Sequence, residues 1–150
     1  MLRDKITAIW LQPRGITMTD FLENLKKKTY VQGEKLESEA LIVAQKVLCN
    51  MGLDFLPASY TDFLRVHNGI KLNDGYLFGA TVDDDLDIID KNEQMTKPNG
   101  TVLLGYNKLY LLCYNYEHKE YHIVNRQDFS VLARHPEKER DVALAKILKV

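Results

Sequence analysis

Residues 101–134 read TVLLGYNKLYLLCYNYEHKEYHIVNRQDFSVLAR, and this stretch decides the fold. It divides into the runs TVLLGY, LYLLCYNY, EYHIVNR and FSVLAR, each of strand length and rich in apolar, β-branched and aromatic residues. Asn107-Lys108 and Glu117-His118-Lys119 have the composition of tight turns. Connections that short join antiparallel neighbours, so the runs form a meander. LYLLCYNY is apolar on both of its alternating faces, the pattern of a central strand with a helix on one side.

Upstream of the meander the period changes. IKLNDGYLF, residues 70–78, alternates around Asn73-Asp74-Gly75 and predicts a hairpin. Before it, LPASYTDFLRVHNG, residues 56–69, places Tyr60, Phe63, Leu64 and His67 at i, i+3, i+4 and i+7, one face of a helix. Pro57 fits the first turn of that helix, where its missing N–H costs nothing. Asp62 and Arg65 lie three apart off the stripe and are spaced to pair. Gly69 suits a left-handed exit of the Schellman type. Two further helices are expected, over 16–30 with Thr17 or Thr19 as cap and Phe21, Leu22 and Leu25 inward, and over 34–51. In the second, Leu36, Ala40, Val43, Ala44 and Val47 fall on one side, and Gly52 is the stop. LDIIDKNEQM is a short helical piece with Leu86, Ile89 and Ile88 inward, and PEKERDVALAKILKV is a last helix with Pro136 at its start. Helices, then a meander, then a helix make an α+β plan, an antiparallel sheet with helices packed on one side.

The chain has 150 residues, which suits one domain with a core of its own. Its net charge of -1 exerts no global pull on nucleic acid or an anionic membrane. No apolar run reaches the roughly 18 residues of a membrane span, and the N-terminal stretch lacks the apolar centre of a signal peptide. A cytoplasmic location is the expectation. Cys49 and Cys113 form neither a CxxC nor a zinc pattern and are expected as small hydrophobes.

Candidate sites for chemistry meet specific objections. Asp83, Asp84, Asp85 and Asp87 suggest a calcium loop, but Ile88 and Gln94 stand where such a loop needs Gly and Glu. His118 and His122 straddle a turn into a strand, where a spacing of four does not bring the rings together. No metal, no cofactor and no catalytic residue are therefore expected. Ser59 has no GxSxG context, and neither a Walker loop nor GxGxxG occurs. His67, on an apolar stripe, is expected as a hydrogen-bonded core histidine. Tyr106, Tyr110, Tyr114, Tyr116 and Tyr121 cluster in the meander. They suit either an interface or cross-strand pairing, with Tyr114 and Tyr116 near a turn the stronger interface candidates. Asp83, Asp84, Asp85, Asp87, Asp90 and Glu93 concentrate negative charge and would attract a basic protein partner.

With these residues in place the chain resembles the SUKH superfamily, the domain of the Smi/Knr cell-wall regulators, and its bacterial YrhA-like branch most of all. LPASYTDFLRVHNG, IKLNDGYLFG, LDIIDKNEQM and YHIVNRQDFSVLA carry the resemblance, over roughly residues 35–149. The first 34 residues would be a helical extension. The resemblance implies a strongly bent antiparallel sheet, with Pro57, Phe63, Leu64, Asn68, Gly69 and Gly79 shaping the fold. It implies a non-enzymatic protein-binding domain, typically an immunity protein that neutralises a cognate toxin domain, often a nuclease. A regulatory or scaffolding module without a toxin is the alternative. So is a small-ligand binder using a cleft near Tyr110, His122 and Arg126.

Overall fold

The meander is the backbone of the architecture. The computed structural model describes residues 18–82 and 85–150. Four six-residue strands, β4 (Thr101–Tyr106), β5 (Tyr110–Asn115), β6 (Glu120–Asn125) and β7 (Val131–Pro136), follow the four apolar runs. Ahead of them come β1 (Val31–Gln32), β2 (Ile70–Leu72) and β3 (Gly75–Leu77). The strands lie side by side in chain order, and all neighbours are antiparallel. The β2–β3 hairpin turns where expected, at Asn73-Asp74, with Asn73 at φ 56°. Two bulges interrupt the ladder. Leu104 is extra between Leu103 and Gly105, and Leu132 is extra where Ile123 pairs Ala133 and Val124 pairs Val131.

The pleat gives the sheet two faces. Leu112, Tyr114, Tyr121 and Ile123 point to one, and Leu111, Cys113, His122 and Val124 to the other. Helix α5 (Arg140–Leu148) packs across the first face, touching β3, β5, β6 and β7. Its Ala143, Leu144, Ala145, Ile147 and Leu148 are buried. Helices α1 (Met18–Lys26), α2 (Ser38–Asn50) and α3 (Ala58–Val66) contribute Phe21, Leu25, Leu41, Leu48, Tyr60, Phe63 and Leu64 to the same core. The class is α+β.

Helix α4 (Ile88–Gln94) has a different task. The last bond from this strand to β4 runs from the Phe78 amide to the Leu104 carbonyl at 2.8 Å; the Gly79 amide turns to the Leu86 carbonyl, which leaves the backbone of Leu103 facing an open edge. The Asn92 carboxamide takes the place of a strand there. It donates to the Leu103 carbonyl at 2.9 Å and accepts from the Leu103 amide at 2.8 Å. Both bonds are buried, so neither backbone group of Leu103 is left unsatisfied.

Several local expectations change. Pro57 is the N-cap of α3 rather than part of its first turn; its carbonyl accepts from the amides of Tyr60 and Thr61. Helix α3 ends in the extended residue His67, so Gly69 (φ 84°) bends the chain into β2 and does not close a Schellman motif. That motif closes α2 instead. The Leu53 amide bonds the Leu48 carbonyl and the Gly52 amide the Cys49 carbonyl, with Gly52 at φ 90°. The inward face of α2 is Leu41, Ala44 and Leu48, while Val43 is 59% exposed. A helix apolar all round its middle turn offers two candidate stripes, and the Leu41 stripe is the one that meets the core. In α4, Ile88 is fully buried and Ile89 only in part. Pro136 ends β7 and caps a 3-10 turn (Glu137–Glu139) ahead of α5. Thr17 lies outside the described residues, and Thr19 falls within α1. Among the described residues no helix is long and apolar enough to cross a membrane.

Candidate functional site

Asn68, Gly69 and Gly79 meet at one junction. Asn68 is buried, and its side-chain amide donates to the carbonyls of Ala80 and Glu34, each at 2.8 Å, while its oxygen accepts from the Ala80 amide at 2.8 Å. The chain at Gly79 passes so close that a Cβ there would lie 2.5 Å from the Asn68 side-chain oxygen and 2.7 Å from the Gly69 nitrogen. Only glycine fits that approach. Phe63 and Leu64 are buried on the helix leading into the junction. The work of these residues is to fasten the end of α3 to the segment that follows β3 and to the one that precedes α2.

The acidic stretch is less open than its composition suggests. Asp83 and Asp84 lie outside the described residues. Asp87 is the N-cap of α4, accepting from the Ile89 amide at 2.9 Å. Asp85 faces Lys71 at 3.8 Å, and both side chains are exposed. Glu93 is exposed and Asp90 half-buried. Of the acids in reach of a partner, Asp85, Asp90 and Glu93 remain.

The tyrosines divide. Tyr114 is only 4% exposed, so it offers no surface to a partner; it is the cross-strand partner of Tyr121, with ring centres 5.5 Å apart. Tyr116 is half-buried and donates to the Asp54 carbonyl at 2.7 Å. Below them lies a polar cluster that no motif announces. Ser59 donates to Glu137 at 2.8 Å and lies 2.6 Å from the Tyr121 hydroxyl, and the Tyr114 hydroxyl donates to the other Glu137 oxygen at 3.1 Å. Arg140 donates to the Ser59 carbonyl at 2.7 Å and lies over the Phe63 ring. Burial makes the Tyr114, Tyr116 and Tyr121 phenols weaker acids, with pKa values above the usual phenol range. As neutral hydrogen-bonding groups, the Tyr114 and Tyr121 hydroxyls tie α3 and the 3-10 turn to the sheet, and the Tyr116 hydroxyl ties the sheet to the loop at Asp54.

The histidines also differ from expectation. His118 and His122 do converge, with rings stacked 6.4 Å apart, because the β5–β6 turn folds His118 back over the strand. His122 is buried and bonds Glu120 at 3.1 Å. Arg134 also bonds Glu120, at 2.9 Å, and these two donors, Arg134 first, hold the Glu120 carboxyl below its usual range. The pair lines a cavity of about 270 Å³ together with Pro98, Val124, Val131 and Arg134. Among the described residues no three His, Cys, Asp or Glu side chains are placed to hold a metal ion. Tyr110 and His122 occupy opposite faces of the sheet, so the cleft expected between them and Arg126 does not form as one site. His67 is half-buried and bonds Gln32 at 2.5 Å; burial, then the Arg140 guanidinium, hold its imidazole below the ordinary range. Cys113 is buried, and burial pushes its thiol up to about 12. It is free, as is Cys49.

No protein-family model matches the chain, and no curated protein matches it.

Proposed function

We propose that this chain is a non-enzymatic protein-binding domain of the SUKH type, an immunity protein that captures and neutralises a cognate toxin domain inside the cell. The observation that carries this reading is the junction of Asn68, Gly69 and Gly79. Three of the positions through which the sequence resembles that superfamily meet in space and demand their residue types on steric and hydrogen-bonding grounds. The partner surface in this reading is the acidic stretch, with Asp85, Asp90 and Glu93 supplemented by Asp83 and Asp84. A basic toxin such as a nuclease would be steered to it, and exposed charges of this kind raise association rates more than they alter folding.

The test is to express the product of a neighbouring toxin-like gene in a heterologous bacterium with and without this chain. Relief of growth arrest together with a stoichiometric complex on gel filtration is the expected outcome. Arrest that this chain does not relieve removes the toxin and leaves the regulatory-module alternative. In the complex, changing Asp83, Asp84 and Asp85 together to Asn slows association about tenfold at low salt, since surface charges act over about 8 Å at physiological ionic strength. Parallel rate-against-salt curves for the two proteins would show that the acidic stretch is not the steering surface.

A further inference from the structure

We propose that the cleft beside the β7 bulge is a binding site for a free monocarboxylate with an apolar body. The cleft opens on the α5 face of the sheet, has a volume of about 300 Å³ and is lined by Tyr110, Ile123, Leu132, Ala133 and Lys146. That volume stands at the small end of ligand pockets. Four of its walls are apolar or aromatic, and Leu132, the bulged residue, is 54% exposed. The remaining wall is a cation with an unusual mount. A lysine on an outer helix face ordinarily swings through solvent on a flexible stem. Here the Lys146 ammonium donates to His135 Nε2 at 2.9 Å. His135 is itself buried, at 8% exposure, and its other ring nitrogen bonds Glu139 at 3.0 Å.

This arrangement settles three things about the ligand. With Nε2 accepting from lysine, the His135 proton sits on Nδ1 and is given to Glu139, so the carboxylate orients the ring and the ring orients the ammonium. The imidazole stands between the two charges, and among the described residues no carboxylate lies within 4 Å of the Lys146 nitrogen. An ammonium has three N–H donors, so two remain for a ligand, and a charge-assisted bond to a carboxylate is the strongest use of them. The apolar walls require a chain or ring behind that carboxylate. An added peptide strand is the poorer occupant, because the bulge at Leu132 breaks the regular edge that such a strand would need.

The experiment titrates methyl-labelled protein with octanoate, octylammonium and octanol and follows the methyl signals of Ile123, Leu132 and Ala133. Octanoate is expected to bind at least tenfold more tightly than octylammonium, with shifts centred on those three residues. In Lys146→Met the octanoate advantage falls to twofold or less while octanol binding is unchanged, which separates loss of the cation from damage to the cleft. Equal binding of the two charged probes, shifts centred elsewhere, or an octanoate preference that survives in Lys146→Met would each overturn the assignment. None of these results depends on a toxin partner, so the site and the immunity reading stand or fall separately.

Discussion

Two pairs of tyrosines, on opposite faces of one sheet, have opposite fates. Tyr114 and Tyr121 pair across β5 and β6 on the face that α5 covers; they are 4% and 0% exposed, meet edge to face, and give their hydroxyls to Glu137 and Ser59. Tyr76 and Tyr106 pair across β3 and β4 on the other face, half-buried and nearly parallel, with ring centres 4.7 Å apart. Their neighbours are cations: Arg126 lies 5.0 Å and Lys91 5.9 Å from the Tyr106 ring, and Lys71 lies 5.5 Å from that of Tyr76. Where a helix covers the sheet, the phenol must find a buried partner for its oxygen. Where water reaches the ring edge, lysine and arginine stems cover the ring and the hydroxyl is left to solvent. The same residue in the same strand context thus becomes core or surface according to the layer above it.

The largest effect separating the pairs is the loss of a whole ring. Tyr121→Ala should cost roughly 3–5 kcal/mol, as for other buried aromatics, against roughly 1 kcal/mol for Tyr106→Ala. Urea unfolding measures both, and equal losses would break the contrast. Alkaline pH sharpens it. The Tyr121 phenol is held above its unfolded value, which lies near 10, by burial. Up to that pH both states keep the proton and stability is intact. Above it the unfolded chain ionises first, so stability falls as pH rises toward the folded value. In Tyr121→Phe the fall should be shallower by about 1.4 kcal/mol per pH unit over that window, one proton's worth. A slope unchanged from wild type would place the alkaline sensitivity elsewhere. The smallest effect belongs to the cations. Arg126→Ala should lower stability by about 0.5–1 kcal/mol, the range for an exposed cation over a ring. No change in the unfolding midpoint would mean that Arg126 covers the ring without stabilising it.

The meander and the stripe of α3 were legible because each is a periodic signal that one strand or one helix satisfies alone. β4 begins and ends with TVLLGY, and Tyr60, Phe63 and Leu64 are all buried. What stayed hidden depends on partners distant in sequence. Asn92 looks like any polar helix residue until the unpaired edge at Leu103 is placed beside it. The short strand β1 is two residues long and has no pattern to read. Ser59 and Glu137 are 78 residues apart, and their bond has no local signature. The spacing of His118 and His122 does not reveal their stacking, because turn geometry sets where the first ring lies.

The strands pair in the order in which they are linked, and the helix that covers them follows all seven. During synthesis the meander from β4 to β7 can therefore zip together hairpin by hairpin with little loop entropy to overcome, while the β1–β2 and β3–β4 pairings close the longer segments from Gln32 to Ile70 and from Leu77 to Thr101. For the interval in which the twelve residues from Glu137 to Leu148 are added, about a second at ribosomal speed, Leu112, Tyr114, Tyr121 and Ile123 have no α5 to lie against. That interval is when the nascent chain is most exposed to chaperones and to its own neighbours on a polysome, and the arrival of α5 ends it.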